Sequence, residues 1–365
     1  MNRTRLTLLL VAAALSVAAI VAEKSLTSYR QAPFYQSMVS AARTMEAAGK
    51  VVRARRLELG FGIDGVADPN GTGFIGVEYS GITTSLGDPA AKRTTTNPDM
   101  AAVMVALLGE AGVRSGDLIA VGASGSFPAA TMATLAAARA MNLEVALIVS
   151  LGASNWGANI PGYSYLAMHE AAVHVLGYNI LAVSLGGDGD SGQNMDPSDR
   201  SLLLTAMDKS GIYTIESDDD AEAVERRMEL YDNFANEKRF SAFINVGGST
   251  ANIGSGMGAL TLEPGVNRAP LQGAGKQTGV AFEMAARGVT LIHVLEIRRL
   301  ALEHGLPWDP VPFPEIGKSL VYRVQDATTY RVRLVLLAIM YAVSLAVLGI
   351  LARRTRVMRG VPPSP

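Results

Sequence analysis

Residues 117–140 read DLIAVGASGSFPAATMATLAAARA. An unbroken apolar run (118–122) passes through a turn of small residues into an alanine-rich run opened by Pro128. A continuous apolar run is how a strand buried on both faces is written, and proline suits the first turn of a helix. The unit is therefore strand, tight loop, helix. It recurs along the chain: further strands are expected at 145–150, 180–185, 212–215, 241–246 and 289–294, with an earlier apolar run at 74–79. Helices are expected at 98–111, 128–141, 163–176, 197–210 and 218–236. Asn97-Pro98-Asp99 and Asp196-Pro197 both read as cap, N1 proline and acidic first turn. This alternation predicts an α/β fold, a mostly parallel Rossmann-like sheet with helices on both faces.

The chain's 365 residues carry 32 Lys and Arg against 33 Asp and Glu, and no cysteine. That balance lacks the basic footprint of a nucleic-acid partner, so none is expected. Without cysteine there is neither a disulfide framework nor a thiolate nucleophile. His169, His174, His293 and His304 are the sole imidazoles.

Residues 6–22 and 334–352 are free of charge. At ~1.5 Å per residue they reach roughly 26 and 28 Å, close to the ~30 Å thickness of a bilayer core. Arg3 and Arg5 precede the first, and Arg353, Arg354, Arg356 and Arg359 follow the second, which places both termini in the cytoplasm by the positive-inside rule. Arg331 and Arg333 reduce the contrast at the second span. The expected organisation is an N-terminal anchor at 1–23, a juxtamembrane helix at 24–60, an exported α/β domain at 61–327, a C-terminal span at 328–356 and a disordered tail at 357–365. Ser16-Val17-Ala18 also allows the first segment to be a cleaved signal peptide. Either way the domain is exported into the space outside a cytoplasmic membrane, where a nucleotide site needs a strong case.

Ligands of parallel sheets bind beyond the carboxyl ends of the strands. The loops there are rich in small and polar residues: 80–84, 122–126, 151–159, 186–192 and 247–252. A shared rim would bring together Ser124, Gly125, Ser126, Ser154, Asn155, Trp156, Asn159, Gly187, Asp188, Gly248 and Ser249. Ser124 and Ser126 are candidate nucleophiles, with Gly125 and neighbouring amides facing an oxyanion, although Gly-Ala-Ser-Gly-Ser misses the last glycine of a Gly-x-Ser-x-Gly elbow. The loop at 122–126 carries neither a Gly-x-Gly-x-x-Gly nor a Gly-Lys-Ser/Thr ending, so no nucleotide cofactor is expected. An anion cradle at the helix starting with Pro128 and a plain tight corner both remain open. Lys92, Arg93, Thr95 and Asn97, ahead of the helix at Pro98, form a second carboxylate candidate. Asp188, Asp190, Asp196 and Asp199 lack the closing glutamate and full alternation of a calcium loop, so a surface loop with a helix cap is expected and no metal.

The segments GFIGVEYSGITTSLGDPAAKRTTTNPDMAAVMV, GDLIAVGASGSFPA, SLGASNWGANIPG, AVSLGGDGDSGQN and FINVGGSTANIG, from Gly73 to Gly254, resemble the poly-gamma-glutamate system protein family, membrane components of polyglutamate synthesis and export. The resemblance implies a role in making, anchoring, exporting or processing an extracellular polyglutamate, and brings no catalytic residue with it. The expected protein is then a membrane-anchored binder of poly-gamma-glutamate, or its growing end. The alternatives are a serine-dependent gamma-glutamyl hydrolase or transferase, and a scaffold for synthase subunits.

Overall fold

The computed structural model describes residues 3–26, 28–271 and 279–357. They divide into two compact units, one built from the two ends of the chain up to residue 32 and from 323 onward, the other from Pro33–Tyr322.

In the first unit, helix α1 (Arg3–Ser25) pairs with α12 (Ala327–Val357), and strand β1 (Tyr29–Gln31) pairs antiparallel with β11 (Arg323–Gln325). Both helices are long and apolar enough to cross a membrane. The Ser16 hydroxyl lies 2.6 Å from that of Tyr341, a polar contact between two otherwise apolar helices. The expected tail at 357–365 lies outside the described residues but for Val357.

The second unit is α/β. Its central sheet contains β3 (Leu118–Ser124), β4 (Glu144–Ser150), β6 (Ala182–Ser184), β7 (Tyr213–Thr214), β8 (Phe240–Val246), β9 (Gly265–Asn267) and β10 (Thr290–Val294). The order is β7-β6-β4-β3-β8-β10-β9, parallel except for β9, which runs antiparallel to β10. Every residue of β3 is buried, as its continuous apolar run requires. A separate pair, β2 (Thr83–Ser85) and β5 (Ala153–Ser154), is parallel.

Five helices, α2 (Tyr35–Glu58), α3 (Pro89–Thr96), α4 (Met100–Glu110), α5 (Pro128–Ala140) and α6 (Tyr165–Leu176), pack on one another, with α5 resting on β4. A second group is α8 (Asp220–Ala235), α9 (Thr250–Ile253) and α10 (Val280–Ala286). Its side chains Met228, Tyr231 and Phe282 join Ala120, Ala146, Ile148 and Phe243 of the strands in one apolar core. Helices α7 (Pro197–Ser210) and α11 (Ile297–Glu303) complete the unit.

Three differences from the sequence reading matter. Residues 74–79 form no strand, and the local pairing falls instead on Thr83–Ser85. The stretch ahead of Pro98 is itself helical, because Asp88 caps α3 by accepting the Ala90 N–H at 2.9 Å. Asn97 therefore ends one helix rather than capping the next. Helix α2, read as a juxtamembrane element, packs against α4, α5 and α6 in the α/β unit.

Candidate functional site

From β3 the sheet grows through β4, β6 and β7 in one direction, and through β8 and β10 in the other. Such a reversal leaves a crevice beyond the carboxyl ends, because the connections on its two sides diverge. A cavity of about 850 Å³ lies there. It is lined by Ser124, Ser126 and Phe127 after β3; by Ser150, Gly152 and Ser154 around β4 and β5; by Gly187 and Asp188 after β6; and by Gly248, Ser249 and Thr250 after β8. Residues 84–88 with Ala91 and Lys92 form one wall, and Leu295 to Arg299 with Leu302, Glu303 and Trp308 another.

Lys92 stands one turn into α3 and is 2% exposed. Its Nζ donates to the Ser126 carbonyl at 2.6 Å and to Ser154 Oγ at 2.7 Å, and lies 3.5 Å from the centre of the Phe127 ring. Burial disfavours the charged amine and pulls it down to about 7, opposed weakly by Asp88. Ser154 closes β5, and its own N–H donates to Ser126 Oγ at 3.0 Å. A Cβ on residue 87 would sit 2.9 Å from Ser154 Oγ and 2.6 Å from the Asn155 carbonyl, so the wall can approach the hydroxyl this closely because Gly87 has none. The structure thus gives its cavity lysine to the hydroxyl of Ser154, and not to that of Ser124 or Ser126.

The other expected residues separate into two groups. Lys92, Ser124, Ser126, Ser154, Gly187, Asp188, Gly248 and Ser249 line the cavity. Ser124 Oγ is buried there without a hydrogen-bond partner among the described residues. The remainder hold the chain in shape. Arg93 makes a two-pronged pair with Asp309, Nε to Oδ1 at 2.8 Å and Nη2 to Oδ2 at 2.5 Å, which raises its affinity for its proton and occupies it. Thr95 Oγ1 donates to the Lys92 carbonyl at 2.7 Å, and Asn97 Oδ1 accepts the Asp99 N–H at 3.0 Å. The Gly125 N–H is taken by the Ser150 carbonyl at 2.8 Å, which removes it from any oxyanion role. Asn155 donates to the Glu78 carbonyl. Asn159, fully buried, accepts the Val77 N–H at 2.9 Å and donates to Thr83 Oγ1 at 2.9 Å. Trp156 takes a positive φ of 63° where its N–H bonds the Val77 carbonyl at 2.9 Å. It does not line the cavity.

Beneath the serine-lined floor, Arg227 and Asp190 form an ion pair with both side chains 1% exposed. Arg227 Nη2 donates to Asp190 Oδ2 at 2.7 Å, to Ser184 Oγ at 2.8 Å and to Ser150 Oγ at 3.1 Å. Ser150 Oγ in turn lies 3.2 Å from Ser249 Oγ. One network so ties together the ends of β4 and β6 and the loop after β8. Asp196 caps α7, and Asp199 accepts the Gly81 N–H at 3.0 Å. Among the described residues, no group of three or more acidic or histidine side chains could hold a metal ion. His169 and His293 are buried and pushed down to about 4 by desolvation, and neither lines the cavity.

Sequence reasoning missed the wall from Leu295 to Trp308. The signal available was Trp308 itself, one of two tryptophans in the chain. Arg298 holds its guanidinium 5.8 Å from the centre of that indole. The chain matches no protein-family model, no curated protein and no solved structure.

Proposed function

We propose that this chain is a membrane-anchored acyl-transfer enzyme in which Ser154 is the nucleophile and Lys92 its base. The observation that carries the reading is the 2.7 Å contact between Lys92 Nζ and Ser154 Oγ at the cavity wall, with the amine held near 7. A lysine that loses its charge near neutrality can take a hydroxyl proton. Neutral Lys92 removes the proton of Ser154 as Oγ attacks an amide carbonyl. The C–N bond then breaks, the leaving amine receives that proton from Lys92, and the acyl group stays on Ser154 as an ester. Water or a second amine attacks the ester with the same lysine as base, and Oγ is reprotonated.

For the substrate we propose the gamma-glutamyl amides of a poly-gamma-glutamate polymer, outside a cytoplasmic membrane crossed by α1 and α12 with both chain ends inside. The resemblance over residues 73–254 supports the polymer, and the flanking arginines support the orientation. The reversal of strand order between β3 and β8 supports a Rossmann-like reading of the sheet. Full-length protein in lipid nanodiscs, incubated with the polymer, is expected to shorten it, and Ser154→Ala and Lys92→Met to reduce the rate by at least about 10³-fold. No shortening by wild type between pH 6 and 9, or undiminished shortening by Ser154→Ala, overturns the proposal.

One observation favours a second reading, in which the domain holds the polymer or its growing end without cutting it. Arg298 stands at the cavity wall over Trp308, without an acidic partner among the described residues. Binding that survives Ser154→Ala unchanged, with no shortening by wild type, is the outcome that selects it. A scaffold for synthase subunits would instead tolerate cavity substitutions and fail on replacement of α1 or α12.

A further inference from the structure

The charges around the cavity fit a long polyanion poorly. Arg299 and Glu303 satisfy each other at 2.9 Å, and Asp88 is committed to capping α3. At pH 7 Lys92 carries only about half of a full positive charge on average. Among the described residues, the groups left facing the space are one guanidinium, Arg298, and two carboxylates, Glu296 and Asp188, the second of which accepts from Asn194 Nδ2. A run of polymer carboxylates would meet more negative charge than positive there, which costs binding energy in a partly desolvated site. A single head bearing one charge of each sign meets a partner for both. Ser124 adds an independent sign of a ligand, since its hydroxyl is buried, lines the cavity and lacks a partner among the described residues. Unsatisfied buried hydroxyls are rare in folded proteins because leaving one unpaired forfeits its hydrogen bonds to water without replacement.

Resting on the assignment of Ser154 and Lys92 above, we infer that the cavity receives the amino-terminal unit of an amide chain, an acyl donor whose far end carries both an ammonium and a carboxylate. Arg298, placed over the Trp308 ring, receives the carboxylate, Glu296 the ammonium, and Ser124 donates to a carbonyl of the same unit. An amino-terminal gamma-glutamyl group has this arrangement, because its gamma-carbonyl is in the amide while its alpha-carbon keeps both charges. An interior unit does not, since its nitrogen is acylated. Transfer then proceeds from the chain end: Ser154 Oγ bonds the carbonyl carbon, the amide C–N bond breaks, the shortened chain leaves as an amine with the proton from Lys92, and water frees one amino acid from the ester.

The test uses full-length protein in nanodiscs with three p-nitroanilides: gamma-glutamyl, its N-acetyl derivative and its alpha-methyl ester. Labelling by a fluorophosphonate, lost in Ser154→Ala, reports the nucleophile separately. Release of p-nitroaniline from the free head is expected to exceed that from each blocked one by at least about tenfold in kcat/KM. Arg298→Ala should raise KM for the free head about tenfold while leaving the methyl ester unchanged. Equal turnover of free and blocked heads, or labelling of Ser154 with no turnover of the free head, overturns the head-group inference while the dyad stands. Absence of both labelling and turnover overturns the dyad and the inference with it.

Discussion

Two cations are buried at the carboxyl end of this sheet, and they have opposite surroundings. Below the floor, Arg227 meets the Asp190 carboxylate at 2.7 Å and two serine hydroxyls, sealed from solvent on all sides. At the cavity wall, Lys92 meets a hydroxyl, a carbonyl and an aromatic face, with no carboxylate in contact. Charge compensation makes the first a brace. Its absence suits the second to the proposed role of base, since neutral partners cannot repay the loss of water and the amine drifts down to about 7. A guanidinium would not serve in the second place, because it does not give up its proton in proteins.

The contrast is broken most sharply by removing the reactive pair. Ser154→Ala or Lys92→Met is expected to lower turnover by at least about 10³-fold with Tm little changed, measured by polymer shortening beside a thermal melt. The floor should respond the other way. Arg227→Met strands the Asp190 carboxylate and is expected to cost about 3–5 kcal/mol, lowering Tm by roughly 10 °C, whereas Arg227→Met with Asp190→Leu recovers much of it. Failure of the double variant to recover would show that the serines, not the ion pair, hold the floor.

Solution pH sharpens the comparison with a smaller effect. Only the neutral amine can act as base, so kcat/KM should rise through about pH 7 and level off above it. The folded state lowers this proton affinity below the unfolded value of 10.5, so the unfolded chain binds more protons between those limits. Stability contributed by Lys92 therefore increases with pH across that window, and Lys92→Met should remove both trends. Smallest of all, Arg93→Ala deletes a partly exposed pair with Asp309. It is expected to cost about 1 kcal/mol in denaturant melts and to change turnover less than twofold.

The strands and most helices were legible because their signals are local. The run at 118–122 and the Asp196-Pro197 start need no distant partner to be read. Strand β9 was not, since three residues in a glycine- and proline-rich stretch carry little period of their own. Helix α3 was missed for a related reason. Its threonines bond backward within the helix, as Thr94 does to the Ala90 carbonyl at 2.8 Å, where a sequence reading gives them to a loop. The site was half legible. Small-residue loops marked the end of the sheet where the cavity lies, but the partner of each charge was decided far off in the chain. Lys92 and Arg93 look interchangeable until Ser154 takes one and Asp309 the other.

The short pairing of β2 with β5 sets Ser85 beside Ser154, and Lys92 follows on the helix directly after β2. The proposed nucleophile and base thus stand on different supports, the serine on this small pairing outside the main sheet and the lysine on the helix that follows it, while Phe127 and the Ser126 carbonyl belong to the corner after β3. Helix α3 is itself packed against α4, α5 and α11, so the 2.7 Å contact is the point at which two separately anchored pieces of the unit meet.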